Sequence, residues 1–221
     1  MSKSILIIGG MGPQASLELH RRILDRAVVE GARRGEDFPA ITHVSIPVPD
    51  ELISSGTAKR DALEIIEEHT KFFKQNRFTH VIVACNTAHI LQSEIEAMLG
   101  VNLLSLITLT AASIDTAVRV GLLASPTTIE VGLYKRQFES KLIVLPQHEQ
   151  AQTESCIRSV IAGDLPKEQL VEQIQQLKNL GAERIILGCT ELSLLNSENN
   201  DQTVIDPLNV VVNEIFNRNT V

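Results

Sequence analysis

Two short stretches carry residues able to do chemistry, and they share one form. The first is Val81-Ile82-Val83-Ala84-Cys85-Asn86-Thr87, and the second is Ile185-Ile186-Leu187-Gly188-Cys189-Thr190-Glu191. Each is an apolar run of strand length that ends in one small residue and then a cysteine. The residue after each cysteine, Asn86 or Thr190, is of the kind that opens a helix. A thiol between a strand's carboxyl end and a helix N-terminus sits where backbone N–H groups and the helix dipole favour negative charge. That position is expected to lower a cysteine pKa below its free value of about 8.5. One such thiol in each half of the chain points to two thiols aimed at one substrate. Taken singly, either cysteine reads more simply as an inert core residue; the matched pair carries the chemistry. Cys156, inside a helical pattern with no partner motif, is expected to be structural.

The elements that must position these thiols alternate strand and helix. A strand over 4–8 feeds the turn Gly9-Gly10-Met11-Gly12-Pro13, and a helix over 16–30 follows with Gly31 as its stop. A second strand covers 41–46. Pro47 and Pro49 then end regular pairing, and 47–57 reads as an active-site flap. A helix over 59–75, the first cysteine strand, a helix over 88–99, a short strand over 101–104 and a helix over 108–118 complete the first half. In the second half a strand over 119–124 ends in Ser125-Pro126-Thr127-Thr128, in the place of the glycine turn. A helix to about 138, a strand over 142–145, helices over 152–162 and 167–180, and the second cysteine strand come next. After polar 196–202, a strand over 203–205 leads to Asp206-Pro207, which caps a terminal helix with proline at its first position.

Such alternation predicts parallel sheets, which bind ligands outside their strands' carboxyl ends, where both cysteines and both turns fall. The expected fold class is α/β, with two pseudo-equivalent lobes, each a parallel sheet flanked by helices, and the active site in the cleft between them. Residues 1–108 plus 205–221 are expected to form the N-terminal lobe carrying Cys85, and 109–204 the C-terminal lobe carrying Cys189.

Composition removes several classes of function. A net charge of −7 with no Trp and one Tyr lacks both the cations and the stacking platforms of a nucleic-acid surface. No apolar run is long enough to span a bilayer, and the start lacks the length and cleavage site of a signal peptide. Three cysteines in 221 residues do not make a disulfide framework, so a cytoplasmic protein with reduced thiols is expected.

Gly9-Gly10-Met11-Gly12-Pro13, Ala84-Cys85-Asn86-Thr87-Ala88-His89 and Gly188-Cys189-Thr190-Glu191-Leu192 together resemble the aspartate/glutamate racemase superfamily, with the aspartate racemases the nearest likeness. Gly121-Leu122-Leu123-Ala124-Ser125-Pro126 and Ile205-Asp206-Pro207 fall where that family has similar segments. The resemblance implies an isomerase: an amino-acid racemase independent of pyridoxal phosphate, with no cofactor and no metal, often a homodimer. It implies Cys85 and Cys189 as the acid–base pair. Met11, Gly12, Asn86, Thr87, Ser125, Thr127, Thr128 and Thr190 would contact the carboxylate and amine of a small amino-acid substrate. The chemistry of the residues agrees, since inverting Cα needs a base on one face and an acid on the other. Two neighbouring thiols naturally share one proton, because the charge of one raises the pKa of the other.

The sequence departs from the aspartate-specific pattern at two places. Those members follow the Pro-Asp of the flap with an arginine that grips the side-chain carboxylate; here Pro49-Asp50 is followed by Glu51. A lysine they carry before the Ala-Gly of the second lobe is replaced by Ile161, ahead of Ala162-Gly163. Aspartate is therefore expected to be a poorer substrate than a neutral or shorter polar amino acid, unless Lys59, Arg60 or Arg158 supplies a cation. An isomerase or decarboxylase of a small carboxylic acid, or a non-catalytic amino-acid sensor, could use the same plan. A thiol-redox pair is disfavoured because such motifs place cysteines two apart.

Other motifs have simpler readings. Gly10-x-Gly12-x-x-Ala15 partly fits a dinucleotide fingerprint, but Pro13 lies inside it and the second strand lacks the required acid. The turn reads instead as a small-carboxylate site. Cys85 and His89 have i, i+4 spacing without a second pair of metal ligands, so His89 is expected to orient a helix or hydrogen-bond near the site. Glu191 either tunes Cys189 or occupies a favourable helix N-terminus.

Overall fold

Ile5, Leu6, Ile7 and Ile8 offer no polar side chain to either face, which suits only a strand covered on both sides. They form the middle of β1 (Ser4–Gly9), with 0–1% exposure, at the centre of a three-stranded parallel sheet. The computed structural model describes residues 3–49, 58–74, 77–196 and 201–217. β2 (Ala40–Ser45) pairs with β1 from Ser4↔Ala40 to Gly9↔Ser45, and β3 (His80–Val83) pairs on the other side from Ile5↔His80 to Ile8↔Val83. α1 (Pro13–Val29) carries the chain from β1 to β2, and α2 (Ala58–Thr70) precedes β3. The chain thus crosses from one side of β1 to the other, and the switch point falls between β1 and β3.

After β3 come α3 (Gln92–Leu99) and α4 (Leu106–Ala112), and then a second parallel sheet repeats the plan. Its strands β4 (Val120–Leu123), β5 (Leu142–Val144), β6 (Arg184–Leu187) and β7 (Val204–Ile205) lie in the order β5-β4-β6-β7. The first three match β2-β1-β3, so the second switch point falls between β4 and β6. α5 (Pro126–Val131), α6 (Lys135–Phe138), α7 (Gln147–Ile161), α8 (Lys167–Asn179), α9 (Leu192–Leu195) and α10 (Pro207–Phe216) complete the described helices.

The period of two along each central strand divides the core. Leu6 and Ile8 pack with Ala62 and Ile66 of α2 and Ile95 and Leu99 of α3. Ile5 and Ile7 pack with Leu19 and Ile23 of α1 and Leu208, Val211 and Ile215 of α10. In the second sheet Ile185 and Leu187 meet α7 and α8, while Val120, Leu122 and Ile186 meet Tyr134 and Phe138. The terminal helix therefore belongs to the first sheet's core, although β7 just before it pairs with β6.

The α/β class with two parallel sheets flanked by helices is as expected, but several elements differ. No strand forms over 101–104: Leu104 N–H does bond to Val81 O at 2.8 Å, but Glu96 Oε1 takes the Leu103 N–H at 2.9 Å. The helix expected over 88–99 opens as a 3-10 turn, Thr87–Leu91, before α3. The one expected over 108–118 begins earlier, where Ser105 caps α4 through the Thr108 N–H, and ends at Ala112. Gly132, at φ 71°, breaks the expected helix to 138 into α5 and α6. In the proposed flap, Asp50, Glu51 and residues 52–57 lie outside the described residues. Among the described residues no helix is long and apolar enough to cross a membrane.

Candidate active site

Both cysteines emerge at strand carboxyl ends beside a switch point: Cys85 two residues after β3, Cys189 two residues after β6. They line one cleft of about 270 Å³. Met11 and Gly12 line it from the β1 turn, Asn86 and Thr87 follow Cys85, Ser125, Pro126 and Thr127 come from the β4 turn, and Thr190 and Glu191 follow Cys189. A further wall comes from α7: Glu154, Ile157, Arg158 and Ile161, spaced i, i+3, i+4 and i+7 on one face. Of the expected substrate contacts, Met11, Gly12, Asn86, Thr87, Ser125, Thr127 and Thr190 line the cleft. Thr128 does not: it is buried behind it, 2.8 Å from the Thr87 hydroxyl and within reach of the Ser125 hydroxyl.

The glycines at this site are there for space. Gly12 sits at φ 117°, and a Cβ there would come within 1.5 Å of Glu191 Oε1, so the glutamate carboxylate occupies the room a side chain would need. Gly188 lets β6 approach β4; a Cβ would meet Leu122 Cδ1 at 2.5 Å.

The electrostatics of Cys189 overturn one expectation. Its thiol is not acidified: burial raises its pKa well above the ordinary value, and the Glu191 carboxylate and neighbouring Cys85 raise it further. The thiol donates to Glu191 Oε2 at 2.8 Å. The helix that follows, α9, has four residues, too few peptide dipoles to offset a carboxylate in hydrogen-bond contact. In this arrangement Cys189 holds its proton and is poised as an acid. Glu191 is thus a partner of the thiol as well as a group before a helix.

Polar contacts across the two sheets converge here. The Thr87 hydroxyl reaches Ser125 at 3.3 Å, Thr190 Oγ1 donates to Ala84 O at 3.3 Å, and the buried Tyr134 hydroxyl donates to Asn86 Oδ1 at 2.7 Å. Behind Cys189, Arg22 of α1 binds Asp206 at 2.6 Å and the Ser193 carbonyl at 2.7 Å, while the Ser193 hydroxyl donates to Asp206 Oδ1 at 2.7 Å. This buried network ties α1 to the turn that carries Glu191 and Cys189.

His89 ties the turn that carries Cys85 to the start of α4 through backbone. Its Nε2 accepts the Leu106 N–H at 3.0 Å, so the proton is on Nδ1, which donates to Cys85 O at 2.8 Å. Both ring nitrogens are occupied by backbone, which removes the metal reading of the Cys85/His89 spacing. Burial holds its pKa down at about 4, so the ring is neutral. Cys156 is fully buried among Leu177, Ile185 and Leu187, with burial pushing its thiol up to about 11, as suits a packing residue.

Of the α7 wall the sequence singled out Arg158 and Ile161 but not Glu154 or Ile157, and it missed Tyr134. The i, i+3, i+4, i+7 spacing of Glu154, Ile157, Arg158 and Ile161 was visible, but not which face of α7 meets the cleft. Nothing in the sequence marks Tyr134, which acts from another sheet's core.

Over 140 residues the chain is 29% identical to the glutamate racemase of Synechococcus sp. (strain CC9605), a match covering 61% of this chain and about half, 52%, of that protein. Among solved structures, Picrophilus torridus aspartate racemase superposes with a TM-score of 0.79 at 23% identity, over 97% of this chain and 93% of that one. An aspartate racemase homologue from Pyrococcus horikoshii OT3 gives a TM-score of 0.74 at 24% identity, with 97% of both chains covered. Glutamate racemase from Francisella tularensis subsp. tularensis SCHU S4, in complex with D-glutamate, gives 0.65 at 16% identity, over 97% of this chain and 80% of that one. These likenesses establish the shared fold. The sequence itself matches Asp/Glu/Hydantoin racemase over residues 8–215, nearly its whole length, and so the resemblance carried by the glycine turn and the two cysteine motifs is borne out: the chain belongs to the Asp/Glu/Hydantoin racemase family.

Proposed function

We propose that the protein is a cofactor-independent amino-acid racemase that inverts Cα with Cys85 and Cys189 as its acid–base pair. The observation that carries this reading is the meeting of two thiols, from equivalent positions of two sheets, in one small cleft. In one direction the Cys85 thiolate takes the α-proton: the Cα–H bond breaks and an S–H bond forms. The electron pair moves into the substrate carboxylate as an enediolate. Cys189, held protonated, then delivers its proton to the opposite face, and its S–H bond is replaced by a new Cα–H bond. Roles exchange for the reverse direction, with Glu191 placed to share the proton of Cys189.

The α-proton is far less acidic than a thiol, so charge on the carboxylate needs stabilising. Met11, Gly12, Asn86, Thr87, Ser125, Thr127 and Thr190 are proposed to bind the carboxylate and amine, with Thr128 holding Thr87 and Ser125 from behind. Arg158 lines the cleft beside Glu154 and is the described cation best placed to meet a substrate side chain. We carry forward the homodimer and the cytoplasmic setting with reduced thiols as parts of this proposal. Sedimentation equilibrium tests the first.

The deciding experiment incubates the purified protein with each common chiral L-amino acid in deuterated water, with no pyridoxal phosphate or metal added. Loss of optical rotation, with deuterium at Cα of the inverted product, is expected for at least one. Full retention of rotation across the panel, or a requirement for pyridoxal phosphate, would overturn the proposal.

A further inference from the structure

Asn86 follows Cys85 and lines the cleft, yet its side chain is 1% exposed. Its two ends have different fates. Oδ1 accepts from the Tyr134 hydroxyl at 2.7 Å, while Nδ2 is buried with no hydrogen-bond partner among the described residues. A buried donor without a partner is costly to maintain, and one at a cleft-lining residue marks a place where a ligand completes the bonding.

Tyr134 is fully buried in the second sheet's apolar core, among residues such as Leu122, Phe138 and Ile186. It reaches Asn86 because Gly132, in the left-handed region at φ 71°, stops α5 and lets the chain turn before α6. A buried phenol proton needs an acceptor, and here Asn86 Oδ1 takes it at 2.7 Å, with the Thr110 side chain as the phenol's other polar neighbour. The two ends of a carboxamide are nearly the same shape, so packing alone does not choose between them. A half-turn would aim an oxygen at any bound carboxylate and leave the phenol proton without that acceptor.

We propose that Tyr134 is a positioning residue: its hydroxyl holds the Asn86 carboxamide so that the NH2 end meets the substrate's α-carboxylate. This rests on the racemase reading above. The Asn86 donor would engage the carboxylate on binding and bind it more strongly as enediolate charge grows, so its misorientation affects both KM and kcat. Tyr134 itself touches no substrate; it acts only through Asn86.

The test is a double-mutant cycle on α-proton exchange, read by loss of the α-proton NMR signal of L-amino acids in deuterated water. Tyr134→Phe removes one oxygen and is expected to keep the fold, while kcat/KM falls about 10- to 100-fold. In an Asn86→Ala background the same substitution should change kcat/KM by no more than about 2-fold, since contacting pairs are coupled and independent ones are not. Asn86→Asp keeps an acceptor for Tyr134 but presents no donor, and should be at least as impaired as Asn86→Ala. An unchanged kcat/KM in Tyr134→Phe overturns the proposal. So does an equal loss in both backgrounds, which would make Tyr134 a strut between the sheets. If the wild type exchanges no amino acid at all, the racemase reading fails first and takes this proposal with it. An active wild type with a fully active Tyr134→Phe sinks the proposal alone.

Discussion

The Cys189 thiol and the Glu191 carboxylate share a hydrogen bond of 2.8 Å, in a space that only a glycine at position 12 leaves open. Burial comes first among the causes that raise the Cys189 pKa, and the glutamate charge comes next. Glu191→Gln removes the charge and keeps the size. The Cys189 thiol should then titrate at lower pH, followed by thiolate absorbance, and racemisation should fall about 10²-fold as the shared-proton partner is lost. An unmoved titration would show that the carboxylate does not tune the thiol.

Cys85→Ser and Cys189→Ser should each abolish racemisation, because inversion needs both faces of Cα and a hydroxyl is too weak an acid to supply a ready anion. Each mutant is expected to retain α-proton exchange with one enantiomer only, and the two mutants should differ in which one. Cys156→Ser should leave the rate close to wild type. A Cys85→Ser or Cys189→Ser protein that racemises at a substantial fraction of the wild-type rate ends the two-thiol mechanism.

Arg158 is held by Glu154 at 2.6 Å at the cleft wall, with the arginine side chain 73% exposed. Exposed pairs of this kind are worth roughly 0.2–1 kcal/mol, little enough for a substrate carboxylate to displace. Arg158→Ala should therefore lower kcat/KM for aspartate and glutamate more than for serine or alanine. Glu154→Gln should raise it for the acidic pair. Parallel changes across all four substrates would remove Arg158 from specificity.

Breaking the Arg22–Asp206 pair should be costly, because one partner would remain buried and charged. The side chains are 10% and 2% exposed, and Asp206 also anchors Ser193 and the Leu208 N–H. Asp206→Ala is expected to cost about 3–5 kcal/mol in urea unfolding. A loss below about 1 kcal/mol would show that solvent readily replaces the network.

His89 sets a limit at acid pH. Its folded pKa, about 4, lies below the ordinary 6.5, so the unfolded chain binds the proton more readily. The contribution to stability is complete above about 6.5 and is lost as pH falls from there through about 4, at up to roughly 1.4 kcal/mol per pH unit. His89→Gln should be less stable at neutral pH, yet show a flatter decline over that window in thermal melts. An equally steep decline would assign the acid sensitivity to other groups.

Strand identity and the two cysteine motifs were legible in the sequence because they are local. Ile5 to Ile8 has no polar face to expose, and a strand that ends in a small residue, a thiol and a capping residue states its own geometry. Repetition of that form in the two halves was enough to suggest the pair of sheets. Local pattern also located the turns at Gly12 and Ser125, since phi-permissive and capping residues report the backbone they serve. It did not report what arrives from elsewhere in the chain. The Cys189 motif predicted an acidified thiol and left the role of Glu191, two residues on, open; only folding buried the thiol and brought Cys85 near it, and burial together with like charge outweighed four residues of helix dipole. At 101–104, where a strand was expected, Leu104 N–H bonds to Val81 O while Glu96, distant by a helical turn and a loop, holds the Leu103 N–H. α7 lines the cleft, while Tyr134 and the Arg22–Asp206 pair support it from behind, and their roles depend on packing across long sequence separations. Sequence alone determined which residues could do chemistry; tertiary structure decided which of them hold protons and which groups hold them in place, because desolvation and charge depend on neighbours in space.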